Sequence, residues 1–136
     1  MSKLDFEIKN DLSELARVNE LLEEFGQANH FSSSLMFHLT LALEEILTNI
    51  IFYGYEGAGE QRIQVQLEFN DGEVSARIED QAKAFNPLER ESPDIHKPLE
   101  ERTVGGLGIH IVRNIMDSVE YQRANDKNIL TIKKKI

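Results

Sequence analysis

The run from Gln61 to Glu79 constrains the fold more than any other part of the chain. Gln61-Arg-Ile-Gln-Val-Gln-Leu-Glu-Phe69 alternates polar and apolar residues from Arg62 onward, and Glu73-Val-Ser-Ala-Arg-Ile-Glu79 does so again. Period-two alternation places the apolar side chains of a strand on one face. Between the two runs, Asn70-Asp-Gly72 supplies residues that tolerate the positive φ of a tight turn. The segment predicts an antiparallel hairpin with one solvated face. Such a hairpin is not stable alone and needs more strands and a second layer over its apolar side.

The rest of the chain supplies both. Leu4-Asp-Phe-Glu-Ile8 alternates and predicts a short strand. Asp11 is a plausible N-cap for a helix with an apolar stripe at Leu12, Leu15, Val18, Leu21, Leu22 and Phe25, and Gly26 is expected to end it. Ser32-Ser-Ser34 precedes a longer helical segment, from about Leu35 to Phe52, apolar at Leu35, Leu39, Leu43, Ile46, Leu47, Ile50 and Ile51. A third helix is expected after Gly108, with apolar residues at Ile109, Ile111, Val112, Ile115 and Met116. Val119-Glu-Tyr121 and Ile129-Leu-Thr-Ile-Lys133 predict a closing hairpin that turns near Asn125-Asp-Lys-Asn128. Asp80 to Val104 has little periodicity and contains Pro87, Pro93 and Pro98. So long a loop in so small a domain predicts a functional lid.

The order β-α-α-β-β-loop-α-β-β predicts an α+β fold: a two-layer sandwich with helices on one face of a mostly antiparallel sheet. A Rossmann unit needs regular alternation of strands and helices and does not fit. With 136 residues the chain suits one domain spanning residues 1–136. The net charge of −9 argues against a nucleic-acid or anionic-membrane partner, since both need clustered Lys and Arg. No apolar run is expected to span a membrane, and Met1-Ser-Lys-Leu-Asp-Phe-Glu7 lacks the pattern of a signal peptide. The absence of Cys removes disulfides and thiolate metal sites, and a cytoplasmic location is expected.

Three segments carry chemistry. Gly105, Gly106 and Gly108 stand before the third helix, where free backbone N–H groups and missing β-carbons would let an anion approach closely. The same glycines also describe a tight structural turn. No Gly-Lys-Ser/Thr follows, so this is not a Walker A loop. Glu45 and Asn49 lie four residues apart and share one helix face. The amide oxygen suits Mg²⁺ shared with phosphates, and the carboxylate could take a hydroxyl proton. A solvated helix face is the alternative for Glu45, whereas Asn in an apolar helix needs partners if buried. Asp80 ends a strand and could accept from an exocyclic amine such as that of adenine, or it could simply begin a turn.

Together these segments resemble the GHKL ATPase superfamily. Glu45 and Asn49 match its Glu-x-x-x-Asn N box. Asp80 and Phe85 match its Asp-x-Gly-x-x-Phe G1 box, with Ala82 where the family has Gly. Gly106-Leu107-Gly108 matches its Gly-x-Gly G2 box. Glu44-Glu-Ile-Leu-Thr-Asn49, followed by Ile-Ile-Phe-Tyr-Gly-Tyr55, and the run from Gly105 to Asp117 look most like the stand-alone bacterial anti-sigma-factor serine/threonine kinases. The resemblance covers Leu4 to Lys134. It implies the Bergerat ATP-binding sandwich, and a protein kinase that uses ATP and Mg²⁺. Asp80 would bind the adenine amino group with Ala82 beside it, and Asn49 would ligate the metal. Glu45 would be the general base on a Ser or Thr hydroxyl. Gly105, Gly106, Leu107 and Gly108 would cradle phosphates, with Thr103 donating its hydroxyl and Lys97 and Arg102 as lid cations. It further implies a STAS-type antagonist as substrate, a sigma factor or equivalent regulator as second partner, and a homodimer. A non-catalytic module that regulates a partner by contact is the alternative that Ala82 leaves open.

Overall fold

The computed structural model describes residues 2–54, 59–82 and 106–136. Five strands form one sheet: β1 (Ser2–Lys9), β2 (Arg62–Asn70), β3 (Glu73–Asp80), β4 (Ser118–Ala124) and β5 (Lys127–Lys135). Their spatial order is β1-β2-β3-β5-β4, and every neighbouring pair is antiparallel. Three helices complete the described fold: α1 (Leu15–Ala28), α2 (Ser33–Asn49) and α3 (Gly106–Ile115).

The expected hairpin forms between β2 and β3. Its turn places Asp71 at φ 51° and Gly72 at φ 75°, the conformation that matches strand twist in a two-residue connection. The alternation then fixes register across the sheet. Phe6 lies opposite Val65, Val65 opposite Ile78, Ile78 opposite Leu130, and Leu130 opposite Tyr121. Leu4, Leu67, Ala76, Ile132 and Val119 form the parallel row. These inward rows pack with Val18, Leu22 and Phe25 of α1, Leu39, Leu43, Ile46 and Leu47 of α2, and Val112 of α3 in one core. Burial of this apolar area on one face of the sheet is the main force holding the two layers together.

Asp11 does act as a cap. Its carboxylate accepts from the Ser13 N–H at 3.0 Å and starts a short 3₁₀ turn, Leu12–Glu14, that runs into α1. That N–H holds the Asp11 carboxyl below its usual range. Gly26, expected to end α1, instead lies inside it. The chain leaves the helix through His30 at φ 57°, with the Phe31 N–H donating to Gly26 O at 2.9 Å and the His30 N–H to Gln27 O at 3.3 Å. This is a Schellman stop with His30 in the left-handed position usually held by Gly. Gly26 is used for closeness: a β-carbon there would sit 2.1 Å from the Met36 sulfur.

Ser32 caps α2, its hydroxyl accepting from the Leu35 N–H at 3.1 Å, so this helix begins two residues before the expected Leu35. A π-helical turn, Ile50–Gly54, continues it. Together, Ser33–Phe52 is 20 residues with mean hydropathy 1.5, which is long and apolar enough by composition to cross a bilayer. The expectation that no run reaches that length is therefore corrected. Seven residues of α2, from Leu35 to Asn49, are buried in the fold, which accounts for the high hydropathy. The last hairpin is longer than expected. Its turn is only Asn125-Asp126, both at positive φ, and Lys127 and Asn128 belong to β5.

Candidate functional site

Three polar side chains are buried among the described residues: Asn49, Asp80 and Asn128. Burying a polar group is unfavourable unless it is hydrogen-bonded, so each marks a place where the fold retains polarity for a reason. The first two are singled out in the sequence as well, Asn49 by its spacing from Glu45 and Asp80 by its place at a strand end.

Asn49 is the last residue of α2. Its Nδ2 donates to the backbone oxygen of Glu45, one turn earlier, at 2.8 Å. That bond commits the nitrogen end of the amide and leaves Oδ1 without a donor among the described residues. A neutral oxygen so oriented fits a hard cation that keeps most of its ligands as water and phosphate. No cluster of three or more His, Asp or Glu able to hold a metal occurs among the described residues. A cation here would therefore depend on Asn49 together with oxygens brought by a ligand. Glu45 is half-buried, and its carboxylate makes no hydrogen bond or ion pair with a described residue.

Asp80 ends β3 on the inward face, where the apolar row gives way to polar residues. It is 5% exposed. Its Oδ1 accepts from the Ala82 N–H at 2.9 Å and from Asn128 Nδ2 at 3.0 Å. Its Oδ2 accepts nothing from a described residue. Burial pushes the Asp80 carboxyl above its usual range, against the opposing effects of Asn128, the Ala82 N–H and the Arg123 guanidinium. The result is a desolvated acceptor with one oxygen saturated and one open, which suits an N–H donor on a ligand.

Ala82 is buried beside it. Its backbone is not among the positive-φ positions, so the extra methyl relative to glycine carries no left-handed strain. Its carbonyl accepts from Arg123 Nη1 at 2.9 Å and from Asn128 Nδ2 at 3.5 Å. The loop after β3 is thus tied to the β4–β5 hairpin.

The glycine segment differs from expectation in one respect. Gly106, Leu107 and Gly108 do not precede the helix; they form its first turn. As first-turn residues they have N–H groups with no partner inside the helix, which is the property that binds anions. α3 packs on α2, so this turn belongs to the same helical layer as Glu45 and Asn49. Asp80 and Ala82 form a second group at the end of the sheet, and neither Glu45 nor Asn49 hydrogen-bonds to Asp80. Thr103, Gly105, Phe85, Lys97 and Arg102 lie outside the described residues, as do residues 83–104 of the Asp80–Val104 segment expected to be a lid.

Asn128, Tyr121 and Arg123 did not stand out in the sequence. Asn128 Oδ1 accepts from the Tyr121 hydroxyl at 2.5 Å and from Arg123 Nη1 at 3.2 Å. The signal was the alternation itself: counting back by twos from Ile132 through Leu130 reaches Asn128 on the buried face. The composition of Asn125-Asp-Lys-Asn128 hid it, because Asn and Asp dominate turns.

A five-stranded antiparallel sheet covered by three helices on one face is the architecture of the GHKL ATP-binding sandwich. The chain belongs to the histidine kinase-like ATPase domain family, which it matches over residues 8–134. It is 32% identical over 111 residues to the serine/threonine-protein kinase BtrW of Bordetella bronchiseptica, covering 82% of this chain and 78% of that one. It is 28% identical over 94 residues to an anti-sigma F factor of Clostridium perfringens, covering 69% of this chain and 67% of the relative. Among solved structures, the RsbU and RsbW domains of Rv1364c from Mycobacterium tuberculosis superimpose with a TM-score of 0.70 at 13% identity. That match covers 99% of this chain but 32% of the other. The histidine kinase domain of Erythrobacter litoralis EL346 superimposes with a TM-score of 0.58 at 14% identity, over 90% of this chain and 59% of the other. These two structures speak for the fold alone.

Proposed function

We propose that this chain is an ATP- and Mg²⁺-dependent protein serine/threonine kinase that also acts as an anti-sigma factor, phosphorylating a STAS-type antagonist in a partner-switching pathway. The observation that carries the reading is the pair on α2. Glu45 presents a carboxylate with no protein partner among the described residues, one turn from an amide whose nitrogen is already tied down. The relatives named a serine/threonine-protein kinase and an anti-sigma F factor support the same direction.

Each residue then has a role. Asp80 accepts from the adenine amino group through its open oxygen, and Ala82 lies beside the base. Asn49 holds Mg²⁺, which when bound neutralises phosphate charge. The first-turn N–H groups of Gly106, Leu107 and Gly108 receive phosphate oxygens, with Gly105 and Thr103 completing that cradle. Glu45 takes the proton of the substrate Ser or Thr hydroxyl as its oxygen bonds to the γ-phosphorus and the bond to ADP breaks. The sigma factor is held by contact, and a homodimer is the proposed working form. The chain is proposed to act as one domain in the cytoplasm, without nucleic-acid or membrane partners.

The feature that would favour a contact-only module is Ala82, but its backbone lies outside the left-handed region. The test is transfer of labelled γ-phosphate from ATP to a STAS-domain protein. Glu45→Gln should keep ATP affinity within about twofold and slow transfer by about 100-fold or more, the range of a positioned general base. Transfer by that variant at the wild-type rate would remove Glu45 from the mechanism, and no ATP binding by the wild-type chain would end the kinase reading.

A further inference from the structure

Helices α1 and α2 lie side by side, joined by residues 29–32, and an open groove of about 830 Å³ runs between them. Its floor is apolar, formed by Gly26, Phe31, Met36 and Leu41. Phe37 forms one wall and is 65% exposed, an aromatic ring left in water at no gain to the fold. The rim is acidic. Glu23 of α1 and Glu44 of α2 line the groove from opposite sides, and Glu20 stands one turn before Glu23 on the same stripe. None of these three carboxylates makes an ion pair or hydrogen bond with a described residue. Neither Lys nor Arg lines the groove among the described residues. Glu44 faces this groove, whereas Glu45, about 100° further round α2, shares the face of Asn49.

We propose that this groove is a docking site for a basic amphipathic helix of a protein partner, separate from the nucleotide site. From Ser33 to Glu44 the groove follows about 16 Å of α2, the length of three helical turns. A third helix laid there sets its apolar face on Phe31, Met36, Phe37 and Leu41, and its Lys and Arg side chains beside Glu23 and Glu44. Met36 is unbranched and adapts to the side chains it meets. Charge decides among the occupants. A second copy docked through the same groove about a two-fold axis sets carboxylates against carboxylates, and each copy brings a net charge of −9. An anionic bilayer is repelled in the same way. A cationic helix gains from both the floor and the rim.

The probe is a labelled synthetic peptide of about 18 residues, long enough to hold a helix, with Leu on one face and Lys on the other. Fluorescence anisotropy with the full chain at about 0.15 M salt, where distant charges are screened, reads its affinity. Phe37→Ser should weaken binding by about tenfold or more, and so should Glu23→Lys combined with Glu44→Lys. Asp5→Lys combined with Glu120→Lys makes the same change in net charge on the solvated face of the sheet, and should cost no more than about twofold. The matching Leu/Glu peptide should not bind. Equal losses in the two charge-reversed pairs overturn the inference, because bulk charge alone then holds the peptide. Equal binding of the two peptides overturns it as well, since the rim then selects nothing. Self-association in sedimentation that Phe37→Ser abolishes gives the groove to a second copy instead. All five substituted residues are exposed, so loss of the fold does not confound the comparison. None of them belongs to the nucleotide site, so ATP affinity should stay within about twofold of wild type in every variant, and failure of the kinase reading is separable from failure here.

Discussion

Asp80 carries its charge where water scarcely reaches, and its three polar neighbours do not fully compensate. The carboxyl is therefore raised above its ordinary value of 3.8. A raised acid binds its proton more tightly in the folded chain than in the unfolded one. Its effect on stability is nil below the unfolded value and becomes increasingly unfavourable as pH climbs through the raised folded value. Replacing it with the neutral amide, Asp80→Asn, should stabilise the chain by about 1 kcal/mol at pH 7 while removing ATP affinity. The gain should shrink toward zero as pH falls to about 3.8. Urea unfolding of the two proteins at pH 4 and pH 7 checks it; an equal difference at both would mean that burial of the charge is not the cause. ATP affinity should weaken in the opposite sense, falling as acid protonates the open oxygen.

Helix α1 shows how the elements place their own limits. His30 adopts the left-handed conformation at its C-terminus, which strains any residue with a β-carbon. His30→Gly should raise stability by up to about 1 kcal/mol in thermal or urea melts. Gly26→Ala should do the reverse despite the better helix propensity of Ala, because the new methyl meets Met36 across the helix pair. Shortening that neighbour, in the double variant with Met36→Ala, should recover part of the loss, and additivity of the two changes would argue against the contact. The same element marks the limit of sequence reading. Alternation and helical stripes gave every strand and helix described, since burial on one face imposes its period on the residues. The role of Gly26 did not follow, because one glycine signals both a helix end and a close approach, and only the position of Met36 distinguishes them. Of the candidate site, Glu45 and Asn49 stand out by their spacing and Asp80 by its place at a strand end. Asn128, Tyr121 and Arg123 do not, because their meaning lies in a register of hydrogen bonds between strands.

The whole chain carries a net charge of −9, so self-repulsion acts against the compact state. The ion pairs between described residues, such as Lys9–Glu60, Arg62–Glu60 and Arg77–Glu79, have exposed cations and contribute little. Raising salt from about 0.05 to 0.5 M should screen the repulsion more than it weakens those pairs, and lift the melting temperature by a few degrees. A fall in melting temperature would show the pairs to be the larger effect. Sheet order has a further consequence. β5 lies between β3 and β4, and the bond from Asn128 to Asp80 joins residues 48 positions apart. Asp80 is synthesised 48 residues ahead of the amide that bonds to it. A growing chain on the ribosome thus cannot complete this buried polar pair until β5 has been made and inserted between β3 and β4. A chain cut short before Asn128 would bury the Asp80 carboxylate without its side-chain partner.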